Sequence, residues 1–129
     1  MAVLLDTHVV LWYVTSDNRL SNRAREIIKA KTGLFFSMAS LWEISIKLNI
    51  GKLQMTSSFD DLLVRLEFIK AKILPIEIED AKAYISLPLI PEHRDPFDRL
   101  LVAQALNRSL ILVSEDEKFD FYPIERIWK

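Results

Sequence analysis

Four short runs of the chain, AVLL at residues 2–5, LFF at 34–36, ILPI at 73–76 and LILV at 110–113, are apolar at every position and too brief for helices. A strand with no polar face has to be covered on both sides, and that happens when helices pack on both faces of a parallel sheet. The intervening stretches have helical spacing. LSNRAREIIKAKTG has Ser21 as N-cap and Gly33 as terminator, and MASLWEISIKLNIG ends at Gly51. FDDLLVRLEFIKAK and EIEDAKAYISL read the same way. Strand and helix alternate, so the expected fold is α/β, a three-layer α/β/α sandwich with a mostly parallel central sheet. A length of 129 residues, half of them apolar, suits one domain spanning 1–129, and neither a repeat nor a linker divides it.

Open α/β sheets bind ligands at the carboxyl ends of their strands, so the residues that follow each run matter most. Asp6 follows the first, beside Thr7. Ser37 follows the second, with Glu43 one to two turns into the next helix. Ser114 and Asp116 follow the last, and Asp98 opens the helix that leads to it. Taken singly, each acid has an ordinary explanation. Asp6 is a good N-cap, Glu43 has Lys47 four residues on for an ion pair, and Asp116 sits in a polar turn. In HRDPFDRLLVAQAL, Asp95 caps the helix, Pro96 occupies the first helical position and Asp98 falls at N3, where a capping box would use it.

Taken together the acids demand more. A doubly wound sheet brings the ends of its first and fourth strands together at the switch point, where converging carboxylates repel one another unless cations neutralise them. An all-oxygen donor set suits hard ions such as Mg²⁺ or Mn²⁺. Zinc is disfavoured because the chain has no cysteine and its two histidines, His8 and His93, lie far apart; neither is given a role. Lack of cysteine also removes any disulfide framework, the first residues lack signal-peptide features, and no membrane span is present, so a cytoplasmic protein is expected. A phosphate-cradling glycine loop is excluded, since the only glycines are Gly33 and Gly51.

The segments LLDTHVVLWYV with Asp6, SMASLWEISIK with Glu43, HRDPFDRLLVAQAL with Asp98 and LVSEDEKF with Asp116 resemble, in order and spacing, the four acidic motifs of the PIN-domain ribonucleases, and more narrowly of VapC-type toxins of toxin-antitoxin pairs. The resemblance implies Mg²⁺ or Mn²⁺ held by Asp6, Glu43, Asp98 and Asp116 as the catalytic set, with the hydroxyls of Thr7 and Ser114 in support. It also implies endonucleolytic cleavage of RNA, a homodimer and inhibition by a small antitoxin protein. Ser114 stands where the family often has threonine. With a net charge of −1, RNA would have to be steered locally, and Lys47, Lys52, Arg94 and Arg99 are the candidates because each lies near a motif. The all-round apolar run VVLWYV at 9–14, with Trp12 and Tyr13, suits the core or a subunit interface. Two other classes fit less well. A haloacid-dehalogenase-like phosphatase would carry an aspartate at the position of His8, and a phosphoreceiver domain would need a lysine after a late strand. A PIN-like module that binds RNA or a partner without cutting is the non-enzymatic alternative.

Overall fold

A computed structural model describes residues 1–129. Five strands form one sheet: β1 (Val3–Leu5), β2 (Leu34–Ser37), β3 (Lys72–Leu74), β4 (Ile111–Val113) and β5 (Arg126–Ile127). They lie in the order β3-β2-β1-β4-β5, and every pairing is parallel. Six helices connect them: α1 (Thr7–Val14), α2 (Asn22–Lys29), α3 (Met38–Asn49), α4 (Phe59–Phe68), α5 (Ile78–Ile85) and α6 (Pro96–Arg108), with a short 3₁₀ turn at Glu117–Phe121. β1 pairs with β2 on one side and with β4 on the other, so the expected switch point lies at its carboxyl end.

Alternation along β1 assigns the two cores. Val3 and Leu5 face a cluster with Val9, Ile28, Phe36, Ile44 and Leu62, residues of β2 and of the helices from α1 to α4. Leu4 faces the opposite cluster with Leu101, Val102, Leu112 and Phe119, beneath α5 and α6. Each fully buried Leu, Ile or Phe contributes about 1.5–3 kcal/mol, so this two-sided burial is the main source of stability. Trp12 belongs to the first core at 9% exposure and meets Trp128 edge to face, while Tyr13 is only half-buried.

Three details differ from the sequence reading. The third strand stops at Leu74, because Pro75 cannot donate to a ladder. α2 ends at Lys29, four residues before Gly33; that glycine, at φ +66°, instead lets the chain pass the amino terminus, since a Cβ there would stand 2.3 Å from the Met1 carbonyl oxygen. β5 is a two-residue strand, too short to leave a periodic signal.

Asp80 is a fully buried charge that ties α5 to α6. Its carboxylate accepts hydrogen bonds from the Glu77 backbone (2.9 Å), Asn107 (2.9 Å), Arg108 (3.1 Å) and Gln104 (3.3 Å). Burial alone would raise its pKa, but these bonds outweigh it and hold the group below the ordinary carboxylate value. A depressed folded pKa contributes stability above about pH 4 that disappears as pH falls through the folded value. Asp80→Ala is therefore expected to cost about 3 kcal/mol in urea unfolding at pH 7, with the deficit shrinking in acid; a deficit that does not change with pH would exclude the charged network as its source.

Candidate active site

The parallel register sets Leu5 beside Val113, so the next residue of each strand opens on the same edge of the sheet. The Asp6 amide donates to the Val113 carbonyl at 3.0 Å, locking the two strand ends together. Asp6 is also the N-cap of α1. Its Oδ1 accepts from the Thr7 amide (2.7 Å) and its Oδ2 from the Ser114 hydroxyl (2.7 Å). Ser114, fully buried, accepts in turn from the Asp116 amide at 3.0 Å, so one hydroxyl fixes the spacing of two acids. The Asp116 carboxylate accepts from the Lys118 amide and caps the 3₁₀ turn.

Glu43 reaches the same edge from α3. It is 6% exposed, its Oε1 accepts from the Thr7 hydroxyl at 3.1 Å, and its Oε2 lies 3.1 Å from Lys47 Nζ. The helix ion pair expected for Glu43 is therefore present, and so is its link to the residue beside Asp6. Ser40, also buried, stands 2.8 Å from the Thr7 hydroxyl. Its place was not apparent from sequence, where it is one more small residue in an apolar helix.

At α6 the two aspartates separate. Asp95 Oδ1 accepts from the amides of Phe97 (2.8 Å) and Asp98 (3.1 Å), and Pro96 occupies the first turn. Asp98 does not return the bond to the Asp95 backbone, as it would in a capping box; its carboxylate accepts no hydrogen bond. Burial, and then the charges of Asp6, Asp95, Glu43 and Asp116, push its pKa up to about 8. Asp6 is raised as well, chiefly by burial, with Glu43 adding to the effect and the Ser114 hydrogen bond opposing it. Carboxylates held above their ordinary pKa by burial and by neighbouring charges mark an electrostatically strained, acidic cluster.

His93, which the sequence reading left without a role, borders the cluster. It is 3% exposed, and one of its ring nitrogens lies with an oxygen each from Asp98 and Asp116 within a span of 4.8 Å. Burial lowers its pKa, favouring the neutral ring. Nothing in the periodicity of a loop flanked by Glu92 and Arg94 signals that this side chain turns inward.

A groove of about 980 Å³ opens from Asp6 and Asp116. Its basic lining is Arg19, Arg23, Lys118, Arg126 and Lys129, and it also includes His8 and Trp12. The cations proposed from sequence lie elsewhere. Lys47 is engaged by Glu43, Lys52 is exposed beyond α3, and Arg94 is exposed with its Nε on the Pro91 carbonyl. Arg99 has to be corrected outright. It is 6% exposed and its Nη1 is committed to the Pro88 carbonyl (2.9 Å) and the Tyr122 hydroxyl (3.0 Å), so it is not available to a phosphate. Proximity in sequence misled here, because neighbours on a helix point in different directions.

Comparison with known proteins agrees with this geometry. The family model described as PIN domain matches residues 3–124. No curated protein sequence matches the chain significantly. Among solved structures, VapBC2 from Rickettsia felis bound to a promoter DNA fragment is similar at TM-score 0.74 and 18% identity, covering 100% of both chains. FitAcB from Neisseria gonorrhoeae is similar at TM-score 0.70 and 19% identity, covering 97% of this chain and 96% of that one. DNA-bound VapBC from Salmonella typhimurium is similar at TM-score 0.66 and 19% identity, with coverage of 98% and 97%. At these identities the structural likeness speaks for the fold, and the matched model, covering nearly the whole chain, speaks for the family. With its parallel five-stranded sheet and its acids at the switch point, this chain belongs to the PIN domain family.

Proposed function

We propose that the protein is a Mg²⁺- or Mn²⁺-dependent endoribonuclease that acts as the toxin of a toxin-antitoxin pair. The observation that carries this reading is Asp98, a half-buried carboxylate that caps nothing, accepts no hydrogen bond and is repelled by the acids around it. Such a group costs stability unless a cation occupies the site. Oxygen donors alone fit a hard ion, and Asp6, Glu43, Asp98 and Asp116 are the residues that would hold it. When bound, such an ion supplies Lewis acidity toward a phosphate and lowers the pKa of a water so that it attacks at neutral pH.

The remaining roles fall to the chain itself. Thr7 and Ser114 hold Asp6, Lys47 and Thr7 hold Glu43, and Ser114 sets the position of Asp116, so that most of the acids are fixed before any substrate arrives. The groove cations, Arg23 and Lys118 among them, would neutralise the backbone of an RNA laid across that edge. The similarity to VapBC and FitAcB assemblies supports an antitoxin protein as partner, and a homodimer is part of the same reading. No helix is long and apolar enough to cross a membrane.

Purified protein with Mg²⁺ or Mn²⁺ is expected to cut RNA internally, and to stop when a chelator is added. Asp6→Asn and Asp98→Asn should each lower the rate by about 100-fold or more, the scale of losing a group that stabilises the transition state. RNA bound but uncut by the wild type under every metal condition would favour a silent PIN-like binding module instead.

A second expectation concerns stability without metal. With a folded pKa near 8 and an unfolded value near 4, Asp98 retains a proton in the folded state that it loses on unfolding, so stability falls as pH rises between those values. In chelator at pH 8, Asp98→Asn should melt at least about 4 °C above wild type, and Mn²⁺ at 100 times its Kd should raise wild type by about 2.7 kcal/mol. Identical melting curves for the two proteins would exclude the repulsion. For the groove, Lys118→Ala is expected to weaken RNA binding and to reduce the slope of log K against log salt by about 1; an unchanged slope would place the RNA elsewhere.

A further inference from the structure

Asp6, Glu43 and Asp116 each accept hydrogen bonds that fix their carboxylates, but the Asp98 carboxylate accepts none. A carboxylate that ligates a metal works best when an outer donor fixes its rotation. His93 is placed to be that donor. Its Nε2 is buried, forms no hydrogen bond and lies 3.4 Å from Asp98 Oδ2. The ring cannot turn away, since it meets Phe119 and Tyr122 edge to face at centroid distances of 5.2 and 5.4 Å.

The opposite nitrogen decides which proton His93 carries. His93 Nδ1 stands 2.7 Å from the Tyr122 hydroxyl, and the same hydroxyl oxygen lies 3.0 Å from Arg99 Nη1. A guanidinium can only donate, so Tyr122 oxygen accepts from Arg99. The phenolic hydrogen is then left with one acceptor, His93 Nδ1. In a neutral imidazole that accepts at Nδ1, the hydrogen is on Nε2, the nitrogen that faces Asp98. Arg99, Tyr122 and His93 thus form a one-directional chain of donors that begins beside Asp98 in sequence and returns to it in space.

We infer that His93 is a positioning residue that orients the Asp98 carboxylate through Nε2–H, with Arg99 and Tyr122 setting its tautomer. This inference rests on the reading of Asp98 as a metal ligand. Closing the pair to an ordinary hydrogen bond requires about 0.5 Å of carboxylate movement. A nitrogen that carries a hydrogen has no lone pair for a cation, so His93 stands behind Asp98 and is not itself a ligand. The buried guanidinium of Arg99 gains a purpose from the same chain, which explains why a cation next to a catalytic motif faces inward.

The test uses the full chain and does not depend on cleavage. Long-range ¹H–¹⁵N spectra of metal-free protein resolve the tautomer of each ring, and with only two histidines the His93→Gln variant assigns the signals. His93 should show hydrogen on Nε2, and Tyr122→Phe should shift it toward a mixture of the two forms. Mn²⁺ affinity, measured by titration calorimetry on variants whose melting confirms folding, should fall by about 10- to 100-fold in His93→Leu. His93→Gln, whose amide N–H reaches the same place, should restore it to within about threefold of wild type. An Nδ1–H tautomer, a Leu variant that binds as tightly as wild type, or a Gln variant no better than Leu would overturn the role of His93. Nitrogen hyperfine coupling to bound Mn²⁺ would overturn it in favour of direct ligation. Wild-type protein that binds no Mn²⁺ while showing the expected tautomer would instead overturn the metal reading itself, and this one with it.

Discussion

The parallel pairing of β1 with both β2 and β4 is the constraint on which the site depends. Each strand is only three or four residues long, so little chain separates the apolar core from the open edge. Leu5 and Val113 are fully buried, while Asp6 and Ser114, their successors, already face one another across a 2.7 Å hydrogen bond. A one-residue slip between β1 and β4 would move side chains from one core cluster to the other and would part Asp6 from Ser114. The same packing of two cores that stabilises the sheet therefore also fixes the spacing of Asp6 and Ser114.

Concentrating acids at that edge works against stability, and the surrounding hydroxyls show how the fold limits the cost. Thr7, Ser40 and Ser114 are buried, and their hydrogen bonds link β1, α3 and the turn after β4. Neutral donors of this kind satisfy carboxylate oxygens without adding charge, so they fix geometry and leave the cluster negative. Only Lys47 offers a full countercharge, and it does so on the outer oxygen of Glu43. The net result is a rigid, under-neutralised pocket, the condition under which a small cation gains most from binding.

Much of this was legible in the sequence. Strands without a polar face, helices with recognisable caps and acids placed after the strands were enough to give the layer architecture, the switch point and the edge of the sheet on which the acids lie. What escaped has physical reasons. β5 and the 3₁₀ turn are too short to carry a period, and the groove cations come from segments remote from the acids in sequence. Arg99 was misjudged and the inward turn of His93 went unseen for one reason: burial of a polar side chain depends on the partners that tertiary packing supplies, here Tyr122 and Pro88, and no local pattern announces them.

The limit of local reading is clearest in the three helices that carry an aspartate at N3. Asp61 in α4 and Ser58 exchange hydrogen bonds at the surface, a complete capping box. Asp80 in α5 accepts from its N-cap backbone too, but it is fully buried and also gathers Gln104, Asn107 and Arg108 from α6. Asp98 in α6 holds the same position, and Asp95 takes over the capping with a single oxygen that serves two amides. One sequence position thus serves as a cap, as a structural tie and as a free carboxylate. What separates them is which element lies opposite: solvent for Asp61, donors for Asp80 and other acids for Asp98. Capping by Asp95 is what makes the third outcome affordable, because a helix end already satisfied by its neighbour leaves the N3 acid without local work and able to face the cluster.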